Sequence, residues 1–315
     1  MDESLCNTLK LATETPLDEL LSITEKLREQ AFGTAIETCM IVNAKSGLCS
    51  HNCTFCSQSA HHHSQIVTYP LFETQKLVAE AKAAADCGAM HFGIVTSGAT
   101  VSQQELCEIA EAVTTVSRSG RIKVCASLGK LDRKSLIRLK EAGLTRYHHN
   151  LETPEAFYPK ICSTQNWRER YETVKRAIDV GLEVCSGALF GLGEGWEDRA
   201  NLAMCLKELV VRPEYQRGVT SVPLNFLHAH PGTPLADHPP LTAEEALRII
   251  ALFRLLMPET SLRICGGRPK ILADKQVLMF RAGANALMTG NYLTTSGITP
   301  DSDRRMMELL NLNWS

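Results

Sequence analysis

The chain has no run of about eighteen or more apolar residues, so no stretch of it reads as a membrane-spanning helix. It also has no long basic tract and no excess of one charge. Lys and Arg total 33 against 35 Asp and Glu, a formal net charge of -2, which argues against nucleic acid or an anionic membrane as the main partner. A small ligand is the better expectation. The opening MDESLCNTLKLATETPL lacks a basic segment followed by an apolar one, so the expected location is the cytoplasm. No internal repeat, low-complexity tract or linker divides the 315 residues, which suffice for one large α/β domain or two small ones. Cysteine, in contrast, is plentiful. A reducing cytosol keeps thiols free, so twelve of them point to metal ligation rather than to disulfides.

Three of the twelve stand close together in CSHNCTFC: Cys49, Cys53 and Cys56. A structural zinc site closes four ligands around the ion, usually as two separated pairs, whereas three close cysteines leave a coordination position open. Thiolates suit iron-sulfur clusters, and three of them on a four-iron cubane leave one iron free for a small molecule. The alternatives are three unrelated buried thiols, or a zinc ion completed by His51, His61, His62 or His63. Against the last, adjacent residues on an extended chain point to opposite faces, so the run His61 to His63 rarely converges on one ion.

The rest of the chain alternates between two periodicities. Leu17, Leu20, Leu21, Ile23 and Leu27 recur at helical spacing, with Pro16 and Asp18 near the start and Gly33 after the end, and predict a capping helix behind a mobile beginning. Eight β-like runs follow, at 37–43, 90–96, 122–127, 144–150, 182–189, 220–226, 261–265 and 286–289. Helical patterns lie between them, at 73–85, 103–117, 133–141, 168–180, 197–210, 243–256 and 275–281, and Gly88, Gly143 and Gly181 sit where helices should stop. This alternation predicts an α/β fold of the (β/α)8 TIM-barrel type, with an open doubly wound sheet as the alternative. The expected division is a helical N-terminal cap at 1–36, a barrel at 37–290 and a tail at 291–315 with a short helix near 305–310. Barrel ligands bind where strands end and βα loops begin, and the triplet, Asn150, Glu152 and Asn225 all fall there. The glycine-rich GLGEG at 191–195 has neither a Walker lysine nor dinucleotide-fingerprint spacing, and reads as a turn.

Counting strands exposes a second cysteine set. Cys39, Cys125, Cys185 and Cys265 fall on the first, third, fifth and seventh strands. Barrel interiors fill in layers drawn from alternate strands, so these four can form one lumenal layer around a second cluster; the alternative is that they only pack. Arg263 shares the face of Cys265 by the two-residue period. Cys6, Cys87, Cys107, Cys162 and Cys205 read as packed or idle thiols.

CxxxCxxC with Phe55 before the last cysteine resembles the signature of radical S-adenosylmethionine (SAM) enzymes. NAKSGLCSHNCTFCSQSAHH, YHHNLET, VCSGALFGLGE, VPLNFLHAHPGTPL, RICGGR and GNYLTT resemble the biotin synthase family in order and spacing over nearly the whole chain. That resemblance implies a four-iron, four-sulfur (4Fe-4S) cluster on the triplet, SAM on its open iron, and a 5'-deoxyadenosyl radical. It further implies dethiobiotin as substrate, sulfur from an auxiliary cluster, a flavodoxin- or ferredoxin-type electron donor and a homodimer. Matched residue by residue, Phe55, Asn150, Glu152 and Arg170 are expected on SAM, and Asn150, Asn225, Thr294 and Thr295 on the substrate. His148, where family members often carry asparagine, is expected near the substrate or the auxiliary cluster. Cys125, Cys185 and Arg263 match auxiliary-cluster positions of common members, but the remaining strand-two ligand position is Gly93, which has no side chain to bind iron. The expectation is therefore a larger auxiliary cluster, four-iron, with Cys39 and Cys265 replacing the missing ligand.

Overall fold

The computed structural model describes residues 3–210 and 218–314. Its strands are β1 (Ala35–Lys45), β2 (His91–Thr96), β3 (Lys123–Ser127), β4 (Arg146–His148), β5 (Glu183–Cys185), β6 (Ala188–Phe190), β7 (Val219–Phe226), β8 (Ser261–Ile264) and β9 (Ala286–Met288). Each pairs in parallel with its neighbours. The sheet closes where β1 meets β9, with Glu37, Thr38 and Cys39 opposite Ala286, Leu287 and Met288. Closure decides for the barrel over the open sheet. β5 and β6 are two halves of one stave, so the ring has the eight staves that the alternation predicts.

The fifth run, read from sequence as continuous, is broken at Ser186 and Gly187. Gly187 is forced to be glycine by the next stave, since a Cβ there would lie 2.0 Å from the Pro223 carbonyl oxygen. The break also frees backbone groups: the Gly187 N–H donates to Asn150 Oδ1 at 3.1 Å, and its carbonyl accepts from Leu151 and Glu152. The interruption therefore fastens the end of β4.

Helices alternate with the strands on the outside. The first two, α1 (Glu3–Glu14) and α2 (Leu17–Phe32), precede the barrel, so the beginning expected to be mobile is helical. Leu5 and Ala12 of α1 are buried, and Arg248 donates to the carbonyls of Ala12 and Thr15 across the junction of the two helices. Then come α3 (Thr74–Asp86), α4 (Gln103–Arg118), α5 (Arg133–Glu141), α6 (Trp167–Asp179), α7 (Trp196–Leu209) and α8 (Ala243–Leu256). Ser102 and Glu105 form a capping box at the start of α4, and Asp132 caps α5. α8 is buried nearly all round because α1 and α2 cover its outer side. Within it, Arg254 has no carboxylate partner among the described residues and donates instead to the carbonyls of Gly283, Met257, Pro258 and Thr260 and to Asn285 Oδ1.

The helix expected at 275–281 is shorter, α10 (Leu278–Arg281), and the sequence reading lacks a short helix before it, α9 (Arg268–Leu272). Ala273, at φ 45°, ends α9. In the tail, α11 (Pro300–Leu309) starts earlier than the sequence suggests and carries Asp303, fully buried in a bidentate pair with Arg268 at 2.8 and 2.7 Å. A last strand that the sequence does not announce, β10 (Asn313–Trp314), pairs with the start of β1. Among the described residues no helix is long and apolar enough to cross a membrane.

Candidate active site: one lumen with two cysteine sets

A cavity of about 430 Å³ opens at the C-terminal ends of the strands and is lined by both cysteine sets. At the mouth, the triplet sits on a loop that leaves β1 through Gly47 and Leu48, both in the left-handed region at φ 78° and 55°. Gln58 pins that loop, its side chain accepting from Gly47 and its carbonyl from Cys49. Burial pushes the Cys56 thiol up to about 11, so a metal must displace its proton. Among the described residues no three ligands converge as they would around a single ion. Of the histidines in the zinc alternative, His61 and His62 each have Nε2 on a carbonyl, of Ser50 and Cys53, at 3.0 and 2.9 Å, whereas His51 Nε2 is buried without a partner among the described atoms.

Facing the triplet is a fixed polar shelf. Glu152 adopts φ 69°, an uncommon conformation for a side-chain-bearing residue, and bridges to Ala188 beyond the Gly187 break. Its carboxylate accepts from Asn150 Nδ2 at 3.3 Å and lies 3.8 Å from Arg170. Arg170 is held in turn by the Asn150 carbonyl at 2.8 Å and by Tyr158 Oη at 2.9 Å. Burial opposes its charge, but Glu152 and Tyr158 outweigh that and raise its pKa. The structure thus brings Asn150, Glu152 and Arg170 together beside Phe55 and the triplet. Asn225 lines the same cavity with both ends of its amide engaged, donating to Ala188 O and accepting from Gly266 N, each at 3.0 Å. Thr294 meets Ser57 at 3.0 Å, joining the C-terminal loop to the cysteine loop, and Thr295 lies beside it on the cavity wall. The GLGEG turn has no room for a phosphate: the Glu194 carboxylate already accepts from the backbone of Gly191 and Leu192 and pairs with Arg199.

Deeper in the lumen, Cys39, Cys125, Cys185 and Cys265 are all buried and face one another across the barrel. Burial pushes Cys39 up to about 11 and raises Cys125 and Cys265 further. Cys185 differs. Burial opposes its thiolate too, but Arg263 and His148 beside it outweigh the effect and bring it down to about 7. Arg263 Nη1 donates to Cys185 Sγ at 3.4 Å, while Nε is buried without an acceptor among the described atoms. Four thiols, one eased toward ionisation, and an orphaned donor make a pocket that fits an anionic iron-sulfur cluster. Gly93 lines this layer, and a Cβ built on it would stand 3.1 Å from Ile41 Cγ2. A cysteine there would need Ile41 to give by a few tenths of an ångström.

Sequence reasoning missed the groups beneath this layer. Glu37 gathers Arg146 at 2.7 Å, Arg263 by a direct ion pair and His91 at 3.0 Å; Arg146 also pairs with Glu183 at 2.9 Å, and His91 Nδ1 contacts Cys125 Sγ at 3.6 Å. A signal was present: Glu37 and His91 each stand two residues before a lumenal position, Cys39 and Gly93, where a charged or polar residue inside a buried strand is unusual. Cys162 fits its reading. Read as packed or idle, it is buried in the core, with its Sγ on Asn52 Oδ1 at 3.5 Å and 3.6 Å from Thr164 Oγ1.

Comparison with known proteins agrees with this geometry. The Radical SAM superfamily model matches residues 44–206, and the model of the Biotin and Thiamin Synthesis associated domain matches 223–313. Biotin synthase of Desulfovibrio desulfuricans is 47% identical over 96% of this chain and 93% of that protein. The chain belongs to the biotin synthase family. Biotin synthase of Geobacter sulfurreducens, 42% identical over 99% of this chain and 93% of its own length, gives the same assignment. Among solved structures, methylornithine synthase superposes with a TM-score of 0.82 at 20% identity, covering 98% of this chain and 93% of that one. An FeFe-hydrogenase maturase from Carboxydothermus hydrogenoformans gives 0.83 at 18%, covering 99% and 75%. At those identities the two structures support the barrel fold alone. A family enzyme of this kind uses SAM and a 4Fe-4S cluster.

Proposed function

We propose that this chain converts dethiobiotin to biotin, with SAM and a 4Fe-4S cluster at the mouth of the lumen and an auxiliary four-iron cluster at its depth. The observation that carries the reading is that both cysteine sets open into one cavity. When bound, the first cluster and SAM supply the 5'-deoxyadenosyl radical, and the auxiliary cluster supplies the sulfur that bridges two substrate carbons.

The chain's own residues position and exclude. Cys49, Cys53 and Cys56 hold the first cluster; Cys39, Cys125, Cys185 and Cys265 hold the auxiliary one, with Arg263 as its neighbour. Arg170, already anchored by Tyr158 and the Asn150 carbonyl, presents a fixed cation to the SAM carboxylate, and Glu152 serves the ribose hydroxyls. Phe55 packs beside SAM. Asn150 and Asn225, whose amides are oriented by the backbone of adjoining staves, face the ureido ring of the substrate. Thr294 and Thr295 bind its carboxylate, and the Ser57 contact couples that end to the cysteine loop. His148 lies against Cys185, which supports a role beside the auxiliary cluster. The lumen walls hold water away from a radical that would attack any C–H bond. A flavodoxin- or ferredoxin-type donor and a homodimeric, cytoplasmic protein complete the reading.

Anaerobic incubation with dethiobiotin, SAM and reductant tests it: biotin and 5'-deoxyadenosine should form together. Deoxyadenosine without biotin would overturn the substrate. Iron analysis should give about eight irons per chain, as two cubanes require. Cys39→Ala or Cys265→Ala should abolish the auxiliary spectrum and leave the first cluster intact, and an unchanged auxiliary signal in both variants rejects the ligand set.

A further inference from the structure

Arg263, on β8, stands within the four-cysteine layer. Cys265 Sγ donates to its carbonyl at 3.7 Å and its Nη1 donates to Cys185 Sγ at 3.4 Å, so backbone and side chain each touch one of the thiols. The side chain lines the lumen and is 4% exposed. A guanidinium carries five N–H donors and no acceptor, and a buried donor without a partner is uncommon enough to call for an account. Nη2 pairs with the Glu37 carboxylate and Nη1 has Cys185, but Nε is buried and meets no acceptor among the described atoms.

Glu37 is itself held from three other staves. Its Oε1, the atom on Arg263 Nη2, also accepts from Arg146 Nη1 at 2.7 Å and lies 3.0 Å from His91 Nε2. Its Oε2 accepts from Ser261 Oγ at 3.5 Å, and Arg146 is anchored in turn on Glu183 through Nε at 3.0 Å and Nη2 at 2.9 Å. A carboxylate tied to β2, β4 and β8 cannot follow the movements of Arg263. The guanidinium is oriented by the carboxylate instead.

We propose that Arg263 meets the auxiliary cluster as a hydrogen-bond donor, Nε to a cluster sulfide, and not as an iron ligand, and that Glu37 is the positioning residue that holds it so. The inference rests on the reading of the four deep cysteines as cluster ligands. A guanidinium has no lone pair to offer iron. The Cys185 sulfur already has Nη1, so the acceptor that Nε lacks is an anionic atom held among the same thiols, and inorganic sulfide is the one that an iron-sulfur cluster brings. Hydrogen bonds to cluster sulfurs help to set the reduction potential, and each favours the more negative, reduced state. Arg263 therefore raises the potential of the deep cluster and sets one of its sulfides apart from the rest.

The test reads the reduced auxiliary cluster by pulsed electron-nuclear double resonance. The full chain carries Cys49→Ser, Cys53→Ser and Cys56→Ser, so that the mouth cluster adds no signal, and is grown on arginine labelled with nitrogen-15 at Nε. A weak nitrogen coupling is expected, with a coupled proton beside it that is lost in heavy water. Both should vanish in Arg263→Lys, and the potential of the cluster should shift downward. A strong coupling, as a nitrogen bound to iron gives, overturns the donor role; so does the absence of any coupling, since Nε would then face water. Glu37→Asp keeps the charge and draws the carboxylate back by one methylene, so the weak coupling should fall several-fold. The same fall is expected in Arg146→Gln, which frees the carboxylate on its other side, and wild-type coupling in both variants overturns the positioning role. Failure of the cluster reading shows itself separately: a triple-serine chain that takes up no iron overturns the deep cluster, and the inference with it, before any coupling is measured.

Discussion

His149 is buried with no partner for Nε2 among the described atoms, and burial, ahead of the charges on Arg170 and His148, pushes its pKa well below that of a free histidine. A depressed folded pKa means that its contribution is complete above the unfolded value near 6.5 and is lost as pH falls through the folded one, at about 1.4 kcal/mol per pH unit. Urea denaturation at pH 7.5 and 5.5 should show His149→Asn losing less stability on acidification than the wild type by roughly that slope; equal losses would refute the assignment. Glu37 is a second residue with a signed prediction. Burial opposes its carboxylate, but Arg263, His91 and Arg146 outweigh burial and hold its pKa well below the usual range. Glu37→Gln leaves two buried guanidinium groups without their shared partner and should cost about 3 kcal/mol at neutral pH. Because that contribution is complete only above the unfolded carboxylate pKa near 4.3, the gap between variant and wild type should narrow as pH falls below about 4. The cysteines were legible in sequence because their spacing and strand parity are local facts. Glu37, His91 and Arg146 were not, since each gains its meaning from partners on other strands.

At the scale of elements, the break between β5 and β6 shows what periodicity hides. LEVCSGALF reads as one apolar run, and only the approach of Pro223 and the Asn150 amide shows why the strand must stop at Gly187. Gly187→Ala should destabilise the chain by about 3 kcal/mol, the upper range for forced overpacking, and should weaken SAM binding because Asn150 and Glu152 lose their anchor. Isothermal titration with SAM beside a urea curve would check both, and wild-type affinity in the variant would refute the link. α1 was illegible for a different reason. Its few apolar residues gain a partner only when α8 and Arg248 are in place. The barrel strands, by contrast, were readable to within a few residues, since glycines such as Gly88, Gly143 and Gly181, all in the left-handed region, end the helices between them.

At the scale of the whole molecule, the C-terminal segment is bound back onto the barrel by the Arg268–Asp303 pair and by β10 beside β1. Asp303→Asn keeps the shape and removes the charge, and should cost 3 to 5 kcal/mol in a urea curve, since it leaves Arg268 buried and uncompensated. A surface-like loss below about 1 kcal/mol would show the pair to be solvated. The position of Arg268, three residues after Cys265, means that this pair also steadies the loop that carries Cys265.

The ion network of Glu37, Arg146, Arg263 and His91 lies under the lower cysteines, and the cavity opens at the other end, past the triplet. Loaded through that end, the lumen fills from the bottom. On the two-cluster reading, iron and sulfide bound for Cys39, Cys125, Cys185 and Cys265 must travel down the same passage that the first cluster and SAM later occupy, so assembly has an order: the deep cluster first, the radical-generating one second, and substrate last.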